Sequence, residues 1–270
     1  MRGSLGEKIG GGASADVHAW APGKVVKLFK DGVRRRVAWH EARMTRAVFA
    51  AGVPAPEVFD EVTLGARFGI VLSRLDGPTL LQLSRTGAMT SRQVGAILAT
   101  LALSVHKTPL PPDVLSLRDY MDAALRLSGD MLPKHIVTGV LPLIERLPPG
   151  GGLCHADLHA GNVIMTADGP RLIDWTGTVR APAAYDLGVW HILLSELAPE
   201  IVDDPERPRA VNAAVQSEYA RLAGVSPAVL TAAVEPCLPI VCVSVLLSGA
   251  WPAQRERLIQ RVEAALCLED

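Results

Sequence analysis

The chain has 270 residues, 49% of them hydrophobic, and a formal net charge of −1 at pH 7. So much apolar material rules out a disordered polar segment. A near-zero charge balance argues against nucleic acid as a bulk partner, because binding a phosphate backbone needs a basic face.

The length supports one large domain or two smaller lobes. Charge is unevenly spread: residues 1–79 carry +4 (12 basic, 8 acidic), residues 80–174 balance, and residues 175–270 carry −5 (7 basic, 12 acidic). A basic front suits phosphates and an acidic back suits a cationic ligand, although charge runs are commonly no more than solvated faces. Cys154, Cys237, Cys242 and Cys267 lack CxxC spacing and read as small, buried apolar residues of a reducing compartment. The first residues lack the apolar core of a signal peptide, so a cytoplasmic setting is expected. The apolar, uncharged stretch Pro236 to Trp251 has 16 residues. It is short for a membrane span and predicts a buried helix, so no membrane partner is expected.

In chain order, residues 9–18, IGGGASADVH, predict a Gly-rich turn between two short strands. Gly10, Gly11 and Gly12 let the backbone approach a ligand with amide donors toward phosphate oxygens, and Ser14 adds a hydroxyl. A plain hairpin turn has the same composition. No GxxxxGK[ST] pattern occurs, so this is not a Walker-type loop. After a turn at Pro22–Gly23, residues 24–29 alternate with period two, and Val25, Lys27 and Phe29 share a face. A lysine between apolar neighbours needs an anion. The helix predicted over 33–51 supplies one. Val37, Glu41, Met44 and Val48 recur at helical spacing, and a carboxylate on a buried stripe needs a cation. A Lys27–Glu41 pair is the arrangement that holds a lysine against nucleotide phosphates in kinase-type sites. Strands predicted at 57–62 and 68–73 complete a lobe of five strands and one helix.

From Thr79 the pattern turns helical. A capped amphipathic helix is predicted over 91–106, stopping before Pro109, with His106 at its end as a helix-terminus or core histidine. Helices follow at 116–128 and 133–147, and Pro148–Gly152 forms a loop into residues 153–176, LCHADLHAGNVIMTADGPRLIDWT. This stretch reads as two short strands about a turn at 167–170, with Asp157, Asn162 and Asp174 at strand or loop ends, where chemistry can be held rigid yet open. A carboxylate near a hydroxyl takes or orients its proton. An amide oxygen plus a second carboxylate is a hard-oxygen set suited to magnesium. Further helices are predicted at 183–198, 207–223, 227–248 and 253–267.

HADLHAGN followed by IDW resembles the motif of the aminoglycoside phosphotransferase and choline-kinase-like family, roughly HGDxHxxN…IDW. The continuation WTGTVRAPAAYDLG resembles that family's IDWxxxxxxxPxxDLG. The resemblance implies an α+β, two-lobed protein-kinase-like fold. Its small five-stranded N-lobe with one helix would span residues 1–76, its larger, mostly helical C-lobe residues 77–270, with ATP and magnesium in the cleft. Asp157 would orient the acceptor hydroxyl and take its proton, Asn162 and Asp174 would hold magnesium, and Lys27, set by Glu41, would meet the phosphates. Backbone groups of Ser73 and Leu75 would meet adenine. His155 and Asp186 would support the catalytic loop, in which Ala156 stands where the family frequently has glycine. Asp203, Asp204 and Glu206 fall where members that phosphorylate aminoglycosides place acidic groups against ammonium. Asp186 follows Asp174 by 12 positions, with no long activation segment and no APE motif, which leaves little platform for a protein substrate. The implied reaction moves the gamma-phosphoryl group to a hydroxyl of a small molecule: an aminoglycoside, or else a sugar, an amino alcohol or a macrolide. A nucleotide-binding regulator without turnover is the alternative from another class. The oligomeric state is left open.

Overall fold

The computed structural model describes residues 5–12, 14–148 and 151–267. Ala13 of the Gly-rich turn and Pro149 and Gly150 of the later loop lie outside them. By internal contacts the chain forms two compact units, Met1–Gln82 with Gly161–Gly177, and Leu83–Ala160 with Thr178–Asp270. A division at residue 76 does not anticipate the grouping of 161–177 with the front of the chain. The physical cause is backbone pairing: Met165 N–H donates to Pro78 O at 2.9 Å and Leu172 N–H to Pro54 O at 2.8 Å. Gly77, at φ +154°, faces the Met165 carbonyl so closely that a Cβ there would overlap it.

The first unit is built on an antiparallel sheet in the order β1 (Lys8–Gly11), β2 (Ala15–Ala21), β3 (Lys24–Phe29), β5 (Arg67–Ser73), β4 (Val58–Leu64). On β3 the residues around Lys27 are Val25, Val26, Leu28 and Phe29, all buried, so the strand is held by core on both faces. α1 (Arg35–Ala50) lays Ala38, Glu41, Ala42, Met44, Thr45 and Val48 inward. Its Ala38 and Ala42 meet Phe29, Ala15 and Ile70 in one cluster, where burying Phe29 alone contributes roughly 1.5–3 kcal/mol. The apolar period therefore places Glu41 among core residues. The later hairpin, β7 (Val163–Thr166) with β8 (Gly169–Leu172), belongs to the same unit. β8 begins at Gly169, so the turn is tighter than the one expected at 167–170.

α2 (Leu80–Arg85) carries the chain onward to the second unit. There α3 (Ser91–Lys107) opens with a capping box, Thr90 and Gln93 each bonding the other's backbone, which satisfies two amides that a helix start leaves unpaired. α4 (Leu117–Arg126), α5 (Lys134–Glu145) and the two-stranded pair of β6 (Gly152–Cys154) with β9 (Val179–Ala181) follow. α6 (Ala184–Trp190) is entirely buried and passes into a π-helical turn over His191–Leu197, where a continuous α-helix to 198 was the expectation. The predicted helix 227–248 is also divided. α8 (Pro227–Val234) and α9 (Leu238–Ser248) are separated by a 3-10 turn at Glu235–Cys237, since Pro236 and Pro239 have no N–H to continue the ladder. By length and hydropathy alone Pro227–Ser248 would reach across a membrane, yet half of it is buried within the chain. α7 (Glu206–Ala223) packs along α3, and α10 (Arg255–Cys267) along α9.

Candidate active site

In the first unit, four side chains close a ring. Lys27 Nζ lies 2.6 Å from Glu41 Oε1 and 3.3 Å from Asp174 Oδ1. Thr176 Oγ1 lies 3.0 Å from Glu41 Oε2 and 2.9 Å from Asp174 Oδ1. Burial alone would lower the Lys27 pKa, but the carboxylates of Glu41 and Asp174 outweigh it and hold the ammonium above its ordinary value. Burial pushes the Glu41 carboxyl up, and Lys27 only partly offsets this because Asp174 adds a second negative charge beside it. One cation thus serves two carboxylates.

Asp174 reaches this position through the hairpin. Val163 pairs with Leu172 in the ladder, and one step further Ile173 N–H donates to Asn162 O at 2.9 Å. Asn162, which is buried, and Asp174 therefore stand at the same end of the hairpin. Asp174 has a left-handed backbone, φ 66°. Its neighbour Trp175 is fully buried and donates its indole N–H to Leu172 O, anchoring the chain beside that turn. A carboxylate and an amide at one hairpin end, the carboxylate belonging to a cluster with formal charge −1, fit a divalent cation with oxygen preference.

On either side of the Gly-rich turn, Gly10 and Gly11 pair with Val17 and Asp16, and Gly12 N–H donates to Ala15 O. Lys30 Nζ donates to Gly12 O at 2.7 Å, and the Ser14 carbonyl accepts from Lys30 N–H. Ser73 N–H donates to Glu57 O, which spends that amide inside the unit, and Leu75 follows two residues on.

In the second unit, Asp186 sits at the start of α6, almost wholly buried. Its carboxylate accepts the backbone N–H of His155 at 3.0 Å and of Ala156 at 2.7 Å. Ala156 has φ 63°, the left-handed conformation that explains why glycine suits this position. His155 is fully buried and its Nδ1 accepts the Asp157 N–H at 3.2 Å. The loop is therefore pinned at three consecutive amides, and the Asp157 side chain is left half exposed, with His159 Nε2 at 3.7 Å. Trp190 adds a hydrogen bond from its indole N–H to the Leu158 carbonyl. Asp203, Asp204 and Glu206 lie exposed before and at the start of α7. Asp204 pairs with Arg207 and Glu206 with Arg209.

Two residues escaped the sequence reading of roles. His106, at the end of α3, places Nε2 3.0 Å from Asp186 Oδ2, and its Nδ1 lies 2.8 Å from the Tyr219 hydroxyl. Burial works to raise the Asp186 pKa, but His106, His155 and the Ala156 amide outweigh it and hold the carboxyl below its ordinary value. Tyr120 is pushed up by burial and by the charge of Asp157, which puts it within electrostatic reach of that carboxylate. No motif marked either residue, although His106 at a helix end was a visible polar exception. His106, Cys154 and Asp186 also bring ligand-type atoms within 4.8 Å of one another. They make a poor metal site. The Asp186 oxygens already serve three donors, and burial holds the Cys154 thiol well above its ordinary value.

Solved structures of similar fold include an aminoglycoside-3'-phosphotransferase of type VIII, 20% identical over 88% of this chain and 94% of that one, with a TM-score of 0.57. A choline/ethanolamine kinase family protein from Mesorhizobium loti is 18% identical over 97% of this chain and 87% of that one, TM-score 0.55. An aminoglycoside phosphotransferase from Streptomyces rimosus in complex with ADP and streptomycin is 19% identical over 83% of this chain and 90% of that one, TM-score 0.56. A search of curated protein sequences returns no match. The fold is of the protein-kinase-like class, a five-stranded antiparallel sheet with a mostly helical remainder. The model of the phosphotransferase enzyme family matches residues 6–225, and the chain belongs to that family. It is accordingly an enzyme of the phosphotransferase class.

Proposed function

We propose that this enzyme transfers the gamma-phosphoryl group of ATP, with magnesium, to a hydroxyl of a small molecule. The observation that carries this reading is the cluster of one part-buried ammonium between two carboxylates, Lys27 with Glu41 and Asp174, in a chain of the phosphotransferase family. In it, Lys27, fixed by Glu41, binds phosphate oxygens. Asn162 and Asp174 hold magnesium, which when bound neutralises charge on those phosphates. Gly10, Gly11, Gly12 and Ser14 cover the phosphates, and Ser73 and Leu75 offer backbone groups to the base. The nucleotide-binding part thus comprises residues 1–76 together with the hairpin that carries Asn162 and Asp174, and the catalytic loop at Asp157 belongs to the other unit.

Asp157 orients the acceptor hydroxyl and takes its proton, held by a loop that His155 and Asp186 keep in place. Positioning and charge neutralisation supply most of the acceleration in such a reaction. An aminoglycoside is the first acceptor to test. Relatives of this fold have been solved with streptomycin and ATP, and with gentamicin, and Asp203, Asp204 and Glu206 offer an acidic patch to a cationic acceptor. Arg207 and Arg209 already pair with two of those three acids, which favours keeping sugars, amino alcohols and macrolides on the panel. The free cysteines suit a reducing, cytoplasmic setting.

The test is magnesium-dependent ADP release over an acceptor panel, with Asp157→Ala in parallel. The reading expects acceptor-dependent release that Asp157→Ala abolishes while nucleotide affinity stays near normal. Tight ATP binding with no product on any acceptor would favour a regulator, and full turnover by Asp157→Ala would remove the role given to that carboxylate.

A further inference from the structure

We infer that Thr176 is a positioning residue whose hydroxyl couples cation binding at Asp174 to the Lys27–Glu41 pair. The inference rests on the reading of Asp174 as a magnesium ligand. Its own ground is the closed ring Lys27–Glu41–Thr176–Asp174, in which Thr176 Oγ1 stands 3.0 Å from Glu41 Oε2 and 2.9 Å from Asp174 Oδ1.

A hydroxyl has one proton, and both of these neighbours are acceptors. It donates to one carboxylate at a time. Asp174 Oδ1 is also the oxygen that faces Lys27, so two donors meet on one carboxylate oxygen. When Asp174 gives that oxygen to a cation, the Thr176 proton can turn to Glu41 Oε2. Glu41 then gains a donor on its second oxygen while Lys27 holds the first. Occupancy at Asp174 is in this way transmitted to the carboxylate that positions the phosphate-binding ammonium.

The placement of Thr176 is over-determined, as such a role requires. Its side chain is β-branched, which restricts χ1 and fixes the direction of the hydroxyl. Its hydroxyl meets Glu41 at 3.0 Å, so α1 holds the residue two positions past Asp174. Asp174 itself has φ 66°, a conformation in which a side chain gains from an external lock.

Valine has the shape of threonine without the proton, so Thr176→Val isolates the hydroxyl, and Thr176→Ser restores it. The readout is equilibrium binding of a fluorescent, non-hydrolysable ATP analogue titrated with magnesium, accompanied by a urea melt of each variant. Loss of the coupling predicts that Thr176→Val shifts the magnesium needed for half-maximal binding by about tenfold. Thr176→Ser should stay within about twofold of the parent. Thr176→Ala serves as a second hydroxyl-free variant, with the same expected shift, should the valine fail to fold. A magnesium midpoint in folded Thr176→Val or Thr176→Ala within about twofold of the parent overturns the inference. Asp174→Asn run alongside separates the two layers. If it raises the magnesium requirement and the hydroxyl-free variants do not, only the role of Thr176 fails. If Asp174→Asn itself changes nothing, the reading of Asp174 fails and the inference falls with it.

Discussion

His106 Nε2 lies 3.0 Å from Asp186 Oδ2, although the two residues are 80 positions apart. That bond completes a set of three donors on a single buried carboxylate, the others being the amides of His155 and Ala156. Removing the carboxylate strands all three. Asp186→Ala is therefore expected to cost about 3 kcal/mol in urea unfolding and to lower turnover more than tenfold, because the left-handed turn at Ala156 loses its support. A stability loss under about 1 kcal/mol would mean that the loop holds itself.

Lys27→Met leaves Glu41 buried with no ammonium, so a loss of about 2–4 kcal/mol is expected. The double variant Lys27→Met with Glu41→Leu should recover most of that stability, since an apolar pair can replace a buried ion pair. It should not recover nucleotide affinity, which on the proposed function needs the ammonium. Thermal melts and nucleotide titrations of the single and double variants separate the two effects. Recovery of both would detach Lys27 from nucleotide binding.

Gly95 marks where α3 meets α7. A Cβ there would come to 2.5 Å from the Ala214 Cβ and to 2.9 Å from the backbone of Ala214 and Val215. Alanine would gain about 1 kcal/mol of helix propensity, but overpacking against a backbone that cannot rotate aside costs about 1–3 kcal/mol or more. The steric cost should win, and Gly95→Ala should lower the urea midpoint. A raised midpoint would show that the helices can part without penalty.

Burial, and after it the charge of Arg43, hold the His40 ring below its ordinary value of 6.5, against a hydrogen bond to the Thr176 backbone that works the other way. The folded chain thus disfavours the protonated ring, and the unfolded chain binds the extra proton first. The stability from a neutral His40 is full above about pH 6.5. It is lost progressively as the pH falls below that value toward the depressed folded pKa. Urea midpoints measured from pH 8 to pH 5 should drop more steeply for the parent than for His40→Gln. Parallel slopes would remove His40 from the acid response.

Local pattern was enough wherever a contact follows from periodicity. The alternation of β3 put Lys27 between apolar neighbours, and the 3.6-residue stripe of α1 put Glu41 inward. A buried carboxylate and a part-buried ammonium on elements that must pack together had reason to meet, and their 2.6 Å separation follows from that. Asn162 and Asp174 could be placed at one hairpin end because the ladder of the two strands between them dictates that geometry. The break of 227–248 at Glu235–Cys237 was missed because apolar content masks a missing N–H when the helix is read by hydropathy alone.

The amino-acid order by itself determined the strands, the amphipathic helices and the short-range set of oxygen-bearing side chains, since each depends on residues a few positions apart. Which distant groups close on one another was decided only by folding: His106 beneath Asp186, Thr176 between Asp174 and Glu41. These contacts join segments separated by up to 135 positions. A hydroxyl or an imidazole has no periodicity of its own to announce its partner, so its role is fixed by the packing of the elements that carry it.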